Sequence, residues 1–134
     1  MRTLIALVLA AFVPLGGCRD DGITDPVDAA AGSYSLVELN GSALPIQVGQ
    51  QAEVVSGYLT LRRDSSYVAV INTQVPSTGP VRIVPVIENG TFSAEGNAVQ
   101  FRPSGGRAYT GTRDANTISY EMGATRATYR KRLG

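Results

Sequence analysis

Histidine is absent from all 134 residues, and cysteine occurs once, as Cys18. Most general-base, catalytic-triad and transition-metal sites depend on an imidazole or a thiolate, so these two scarcities remove the commonest routes to catalysis and metal binding. A catalyst built from this chain would have to rely on carboxylates, Tyr, Ser or Lys131, its one lysine. A single cysteine also excludes an internal disulfide, which leaves stability to packing. Charge of one sign is scarce too. The formal net charge is +1, without the basic excess of a dedicated nucleic-acid binder. No Gly-rich phosphate loop, Walker motif, HExxH or nucleophile elbow is present. The expectation is therefore no metal, no cofactor, no nucleic-acid partner and no enzymatic activity.

What is present begins with residues 1–18, MRTLIALVLAAFVPLGGC. Arg2 supplies a positive start, and residues 4–13 form an apolar run too short to span a bilayer as a permanent helix. Gly16 and Gly17 then place small residues directly before Cys18. Leu15, Gly16, Gly17 and Cys18 resemble, in order, the lipobox of bacterial lipoproteins: an aliphatic residue, two small residues and the cysteine that receives lipid. The resemblance implies that the Cys18 thiol is alkylated with diacylglycerol, that the peptide is cut between Gly17 and Cys18, and that the new amino group can be acylated. Each buried CH₂ contributes about 0.8 kcal/mol, so one acyl chain holds marginally and two or more hold stably. In the sorting rule that accompanies the motif, an Asp directly after the cysteine retains a lipoprotein in the inner membrane. Arg19 stands there instead, which favours the periplasmic face of the outer membrane.

Cleavage would leave 117 residues, enough for one small domain. Three segments are expected: a signal peptide at 1–17, the lipidated cysteine with a flexible tether at 18–31, and a β-barrel domain at 32–134. The tether reading rests on RDDGITDPVDAAA (19–31), which carries four Asp, a Gly and a Pro with no apolar period.

From Gly32 onward, short alternating runs bounded by turn residues predict an all-β chain. The first strand is expected at 33–40, followed by a long connection entered through Asn40 and Gly41. Residues 55–62 alternate, with Val55, Gly57, Leu59 and Leu61 directed to the core, and Asp64, Ser65 and Ser66 turn this run into 67–72. Pro85 marks an edge or a bulge in the apolar run 81–87. Asn89 and Gly90 fit either a type I′ turn or a glycine bend within one long strand. Further strands are expected at 91–95, 98–102, 107–112, 117–122 and 124–132, close to ten residues apart. Short consecutive connections favour an antiparallel meander. About eight such strands hide their edges most simply by closing into a small up-and-down barrel. The opening GSYSLVELNGSALP (32–45), the later GTF (90–92) and the terminal YRK (129–131) are similar to small lipocalin-like domains on bacterial lipoproteins, which implies the same fold without an activity.

On the last strand, alternation puts Arg126, Thr128, Arg130 and Arg132 on one side. They offer a basic face for an anionic partner such as lipid phosphate. The competing reading, a solvated outer face that blunts a strand edge, is favoured by the Asp and Glu scattered through the same domain. Six tyrosines, at 34, 58, 67, 109, 120 and 129, with Phe92 and Phe101, could line a pocket, although Tyr is also a good strand residue. Short strands make a shallow barrel and favour a filled core, leaving the mouth beside loops 40–54 and 73–80 for a ligand. Asp64, Glu88, Glu95, Asp114 and Glu121 read as turn or polar-face residues with no acid/base spacing. Asn40 and Asn89 begin glycosylation-like triplets that read better as turns. The expected function is a lipid-anchored envelope binding or accessory module whose partner is the membrane through its anchor together with an envelope protein, a glycan or a small apolar ligand. The alternatives are a structural or inhibitor-like barrel with a filled core and, last, a lipocalin-type enzyme.

Overall fold

The computed structural model describes residues 25–133. The expected signal peptide, the expected cleavage site at Gly17 and Cys18, and the first part of the expected tether lie outside the described residues. The remainder folds as an all-β, closed antiparallel barrel of lipocalin-like form.

Before the barrel comes a short helix, α1 (Pro26–Ala30). Asp25 caps it by accepting the Val27 N–H at 2.8 Å, and Pro26 supplies a first helical residue whose missing N–H needs no partner. Ala30 is fully buried and Val27 packs against the core. The described end of the expected tether is thus a plug on the barrel rather than loose chain. The Tyr34 hydroxyl fixes it by donating to the Ala30 carbonyl at 2.6 Å.

Ten strands follow: β1 (Gly32–Leu39), β2 (Ser42–Ala43), β3 (Ile46–Val48), β4 (Ala52–Leu61), β5 (Ser66–Val75), β6 (Arg82–Glu95), β7 (Ala98–Pro103), β8 (Tyr109–Arg113), β9 (Thr117–Met122) and β10 (Thr125–Lys131). Their order in the sheet is β2-β1-β10-β9-β8-β7-β6-β5-β4-β3, and a further pairing of β1 with β4 closes the wall. Eight strands form that wall, as the meander predicted. β2 and β3 are flaps made from the long connection. Asn40 (φ 51°) and Gly41 (φ 81°) both adopt the left-handed conformation that a two-residue hairpin turn requires, and they fold β2 back on β1.

Two bulges reset the alternation. On β1 the register shifts between Leu36 and Glu38, which brings Leu39 to the inside after Tyr34 and Leu36. On β4 a shift between Val54 and Ser56 puts Val54 in the core. Val55, expected there, is only half-buried, whereas Gly57, Leu59 and Leu61 face inward as expected.

Asn89 and Gly90 are not a turn. They lie inside β6, a 14-residue strand that pairs with β5 over Arg82 to Thr91 and with β7 from Gly90 to Glu95. A Cβ at Gly90 would sit 2.1 Å from the Arg102 carbonyl oxygen, so the strand crosses from one neighbour to the other at a position where only glycine fits. Residues 82–88 are left with β5 on one side and a free edge on the other, and Pro85 stands on that edge; Asn89 is held there by the Ser104 N–H, which donates to its carbonyl at 2.9 Å.

Candidate functional site

The inward positions of the wall carry an unusual share of aromatic rings. Tyr67 on β5 meets Phe101 on β7 edge-on, with ring centroids 5.0 Å apart. Phe101 stacks on Tyr109 of β8 at 5.1 Å, Tyr109 meets Tyr120 of β9 at 5.0 Å, and Tyr120 stacks on Tyr129 of β10 at 5.5 Å. Each such pair contributes about 0.5–1.5 kcal/mol beyond its burial. Small residues make the room: a Cβ at Gly111 would lie 3.1 Å from Tyr120 Cβ and 2.8 Å from the Ser119 carbonyl oxygen. Tyr34, Tyr67, Phe101 and Tyr129 are essentially inaccessible to solvent.

One carboxylate enters this stack. Glu88 on β6 lies opposite the buried Ala69 of β5. Its Oε1 accepts the Tyr67 hydroxyl at 2.9 Å and also the Tyr109 hydroxyl in a short hydrogen bond. Burial pushes both phenols far above their usual range, and hydrogen bonding to Glu88 raises them further. Burial also raises Tyr34, Tyr120 and Tyr129. These hydroxyls therefore stay protonated as donors at neutral pH and supply no phenolate for nucleophilic or general-base work. Glu88, read from the sequence as a polar-face residue, is instead the polar anchor of the interior. Half-buried itself, it shares the parity of the buried Phe92, and that signal is visible only if 82–95 is read as one strand.

At the barrel end opposite α1, an open depression of about 330 Å³ is lined by Glu88, Pro103, Gly106, Arg107, Tyr109 and Glu121. It is formed beside the β7–β8 and β9–β10 connections rather than the two loops expected at the mouth. Tyr109 closes its inner side, and beyond that ring the stack occupies the interior. Of the six tyrosines, Tyr58 alone faces outward, 39% exposed on β4.

Arg126 and Arg130 lie exposed on the outer face of β10, with Arg132 just past its end. The strand is paired on both sides, with β1 and with β9, so these arginines do not blunt an edge. They do not converge either. Four residues of strand separate Arg126 from Arg130 by about 13 Å. Arg126 faces Glu121 in the β9 register, and the Arg132 guanidinium donates to Ser35 Oγ at 2.5 Å. Asp64 and Asp114 serve turns: Asp64 Oδ1 accepts from the Ser66 backbone and hydroxyl at 2.9 and 2.6 Å, and Asp114 Oδ1 accepts from Ala115 N at 2.7 Å. Among the described residues, no helix is long and apolar enough to cross a membrane. No protein-family model matches the chain, and neither does any curated protein or solved structure.

Proposed function

We propose that this chain is a lipid-anchored envelope lipoprotein whose barrel is an accessory module that works through its outer surface, without a small ligand inside. The aromatic stack carries the reading: side chains from Tyr67 through Phe101, Tyr109 and Tyr120 to Tyr129 occupy the space that a ligand-carrying barrel of this size would leave open. Of the two binding readings, a small apolar ligand needs that space, whereas an envelope protein or glycan needs only the exterior. The filled interior favours the second. Neutral interior phenols and a chain without imidazole support a non-enzymatic role.

The anchor rests on Leu15, Gly16, Gly17 and Cys18. With three acyl chains on Cys18, membrane residence would be effectively stable. The test is metabolic labelling with radioactive palmitate in a bacterial host that processes lipoproteins. Label is expected on the wild-type chain and lost with Cys18→Ser, with the uncut signal adding to the mass of the variant. Label that persists in Cys18→Ser would contradict the anchor.

A further inference from the structure

Among the described residues, one extended stretch of exposed apolar side chains stands out, on the ribbon formed by the ends of β5 and β6. Val81 is 68% exposed, Ile83 45%, Val86 60% and Ile87 61%. Alternation along β6 puts Ile83, Pro85 and Ile87 on the outer face, beside Gln74 and Asn72 of β5, and Val86 on the opposite one, with Val81 just before the strand, so exposed apolar side chains stand on both faces of β6. On the outer wall Ile87 is in register with Val70 of β5, which is buried, and Val70 with the exposed Tyr58 of β4, so Ile87 and Tyr58 stand on either side of Val70. Between Asp64 and Glu88 the sequence has no acid and a single cation, Arg82.

The geometry points to a bilayer surface as what covers this ribbon, with Val81, Ile83 and Ile87 among the acyl chains and Arg82 at the phosphate level. Three observations favour lipid over a protein. A rigid partner covers one face of a two-stranded ribbon, whereas a fluid apolar medium covers both and needs no shape match. At the tip few backbone donors have to lose water, because Pro76 and Pro80 carry no N–H and the Gly79 N–H donates to Ser77 Oγ at 3.2 Å. Strand addition by a partner or a second copy along the free edge of 82–88 meets Pro85, a residue that natural edges use against such pairing. Arg82 can lay its stem along the apolar surface and keep its guanidinium beside an anionic headgroup.

The ribbon tip lies at the barrel end opposite α1, and Cys18 precedes Asp25 by seven residues, which reach at most about 24 Å when extended. A barrel lying on the wall that exposes Tyr58 and Ile87 brings the tether and the ribbon to one bilayer together. This orientation rests on the acylation of Cys18; the contact of the ribbon with lipid does not.

The experiment uses the processed full chain carrying Ile83→Cys, Ile87→Cys or, as a control on the far wall, Thr112→Cys. Each variant is labelled with an environment-sensitive fluorophore and reconstituted in phosphatidylethanolamine/phosphatidylglycerol vesicles. All three positions are surface sites, and circular dichroism checks the fold. Blue-shifted emission with quenching by doxyl-labelled lipid is expected at 83 and 87, and neither effect at 112. Emission at 83 and 87 that matches the control overturns the inference. So does a shift that follows protein concentration without lipid quenching, which would make the occupant a second copy of the chain. Labelling stoichiometry reports the anchor separately: one label per chain if Cys18 is acylated, two if its thiol is free.

Discussion

Tyr120 and Tyr129 lie diagonally across the β9–β10 pair, with their rings stacked and the Tyr120 hydroxyl donating to the Tyr129 oxygen at 3.0 Å. Both rings are buried, so this bond has no water to replace it. Tyr129→Phe removes the acceptor and strands a buried donor, and the expected loss is about 1–3 kcal/mol of unfolding free energy in urea. The Tyr120→Phe, Tyr129→Phe double variant removes both partners and should lose less than the sum of the single changes. A double-mutant cycle reads the difference.

Alkali should unfold the barrel. Tyr34, Tyr67, Tyr109, Tyr120 and Tyr129 all have phenols raised above their ordinary value of 10.0. An unfolded tyrosine gives up its proton near that value, whereas the folded one keeps it, so above it the native state binds more protons than the unfolded state. Stability from these groups is complete below pH 10 and falls as pH rises toward the folded values. Tyrosinate absorbance from the interior rings should therefore rise together with loss of the far-ultraviolet β signal. Tyrosinate from those rings in a chain that keeps its fold would contradict the burial.

Glu88 should matter more as an acceptor than as a charge. Glu88→Ala leaves the Tyr67 and Tyr109 hydroxyls without their acceptor, at a cost of about 1–3 kcal/mol for each donor left buried. Glu88→Gln keeps a carbonyl oxygen for them and should lose clearly less. Chemical denaturation of the two variants side by side checks the order.

Gly90→Ala should be among the most damaging single-methyl additions. The new Cβ would meet the Arg102 carbonyl oxygen at 2.1 Å and Pro103 Cα at 2.8 Å, and both are backbone atoms that cannot swing aside. A loss of about 3 kcal/mol is expected, at the upper end of overpacking costs, read as a lower thermal midpoint. Gly105→Ala, where no atom lies within 4 Å of the added carbon, is the control and should change little.

The barrel was legible because period-2 runs with turn residues between them leave few topologies, and the last four strands begin and end within two residues of their expected bounds. The bulges were not, since nothing in VELN or EVVS distinguishes one extra residue from regular alternation. That gap misplaced Val55 and hid Val54. Asn89 and Gly90 form a good turn pair locally, and only the β7 partner, with Arg102 closing on Gly90, decides for a continuous strand. Splitting the strand there lost the phase that carries Glu88 inward. The helix at Pro26–Ala30 escaped for another reason: five residues with one buried face give no measurable period, and packing against the barrel stabilises them. Arg126 and Arg130 were legible as an outward pair. The expected closure already pairs their strand with β1, so the edge-blunting reading conflicted with the barrel itself.

Native mass spectrometry of protein released from membranes in mild detergent tests the central claim most directly. The expected spectrum is a single species whose mass equals the chain from Cys18 plus its glyceride and acyl groups, with nothing further bound inside the barrel. A stoichiometric small molecule that survives detergent exchange and leaves only on unfolding would contradict the filled interior, and a mass without lipid would contradict the anchor.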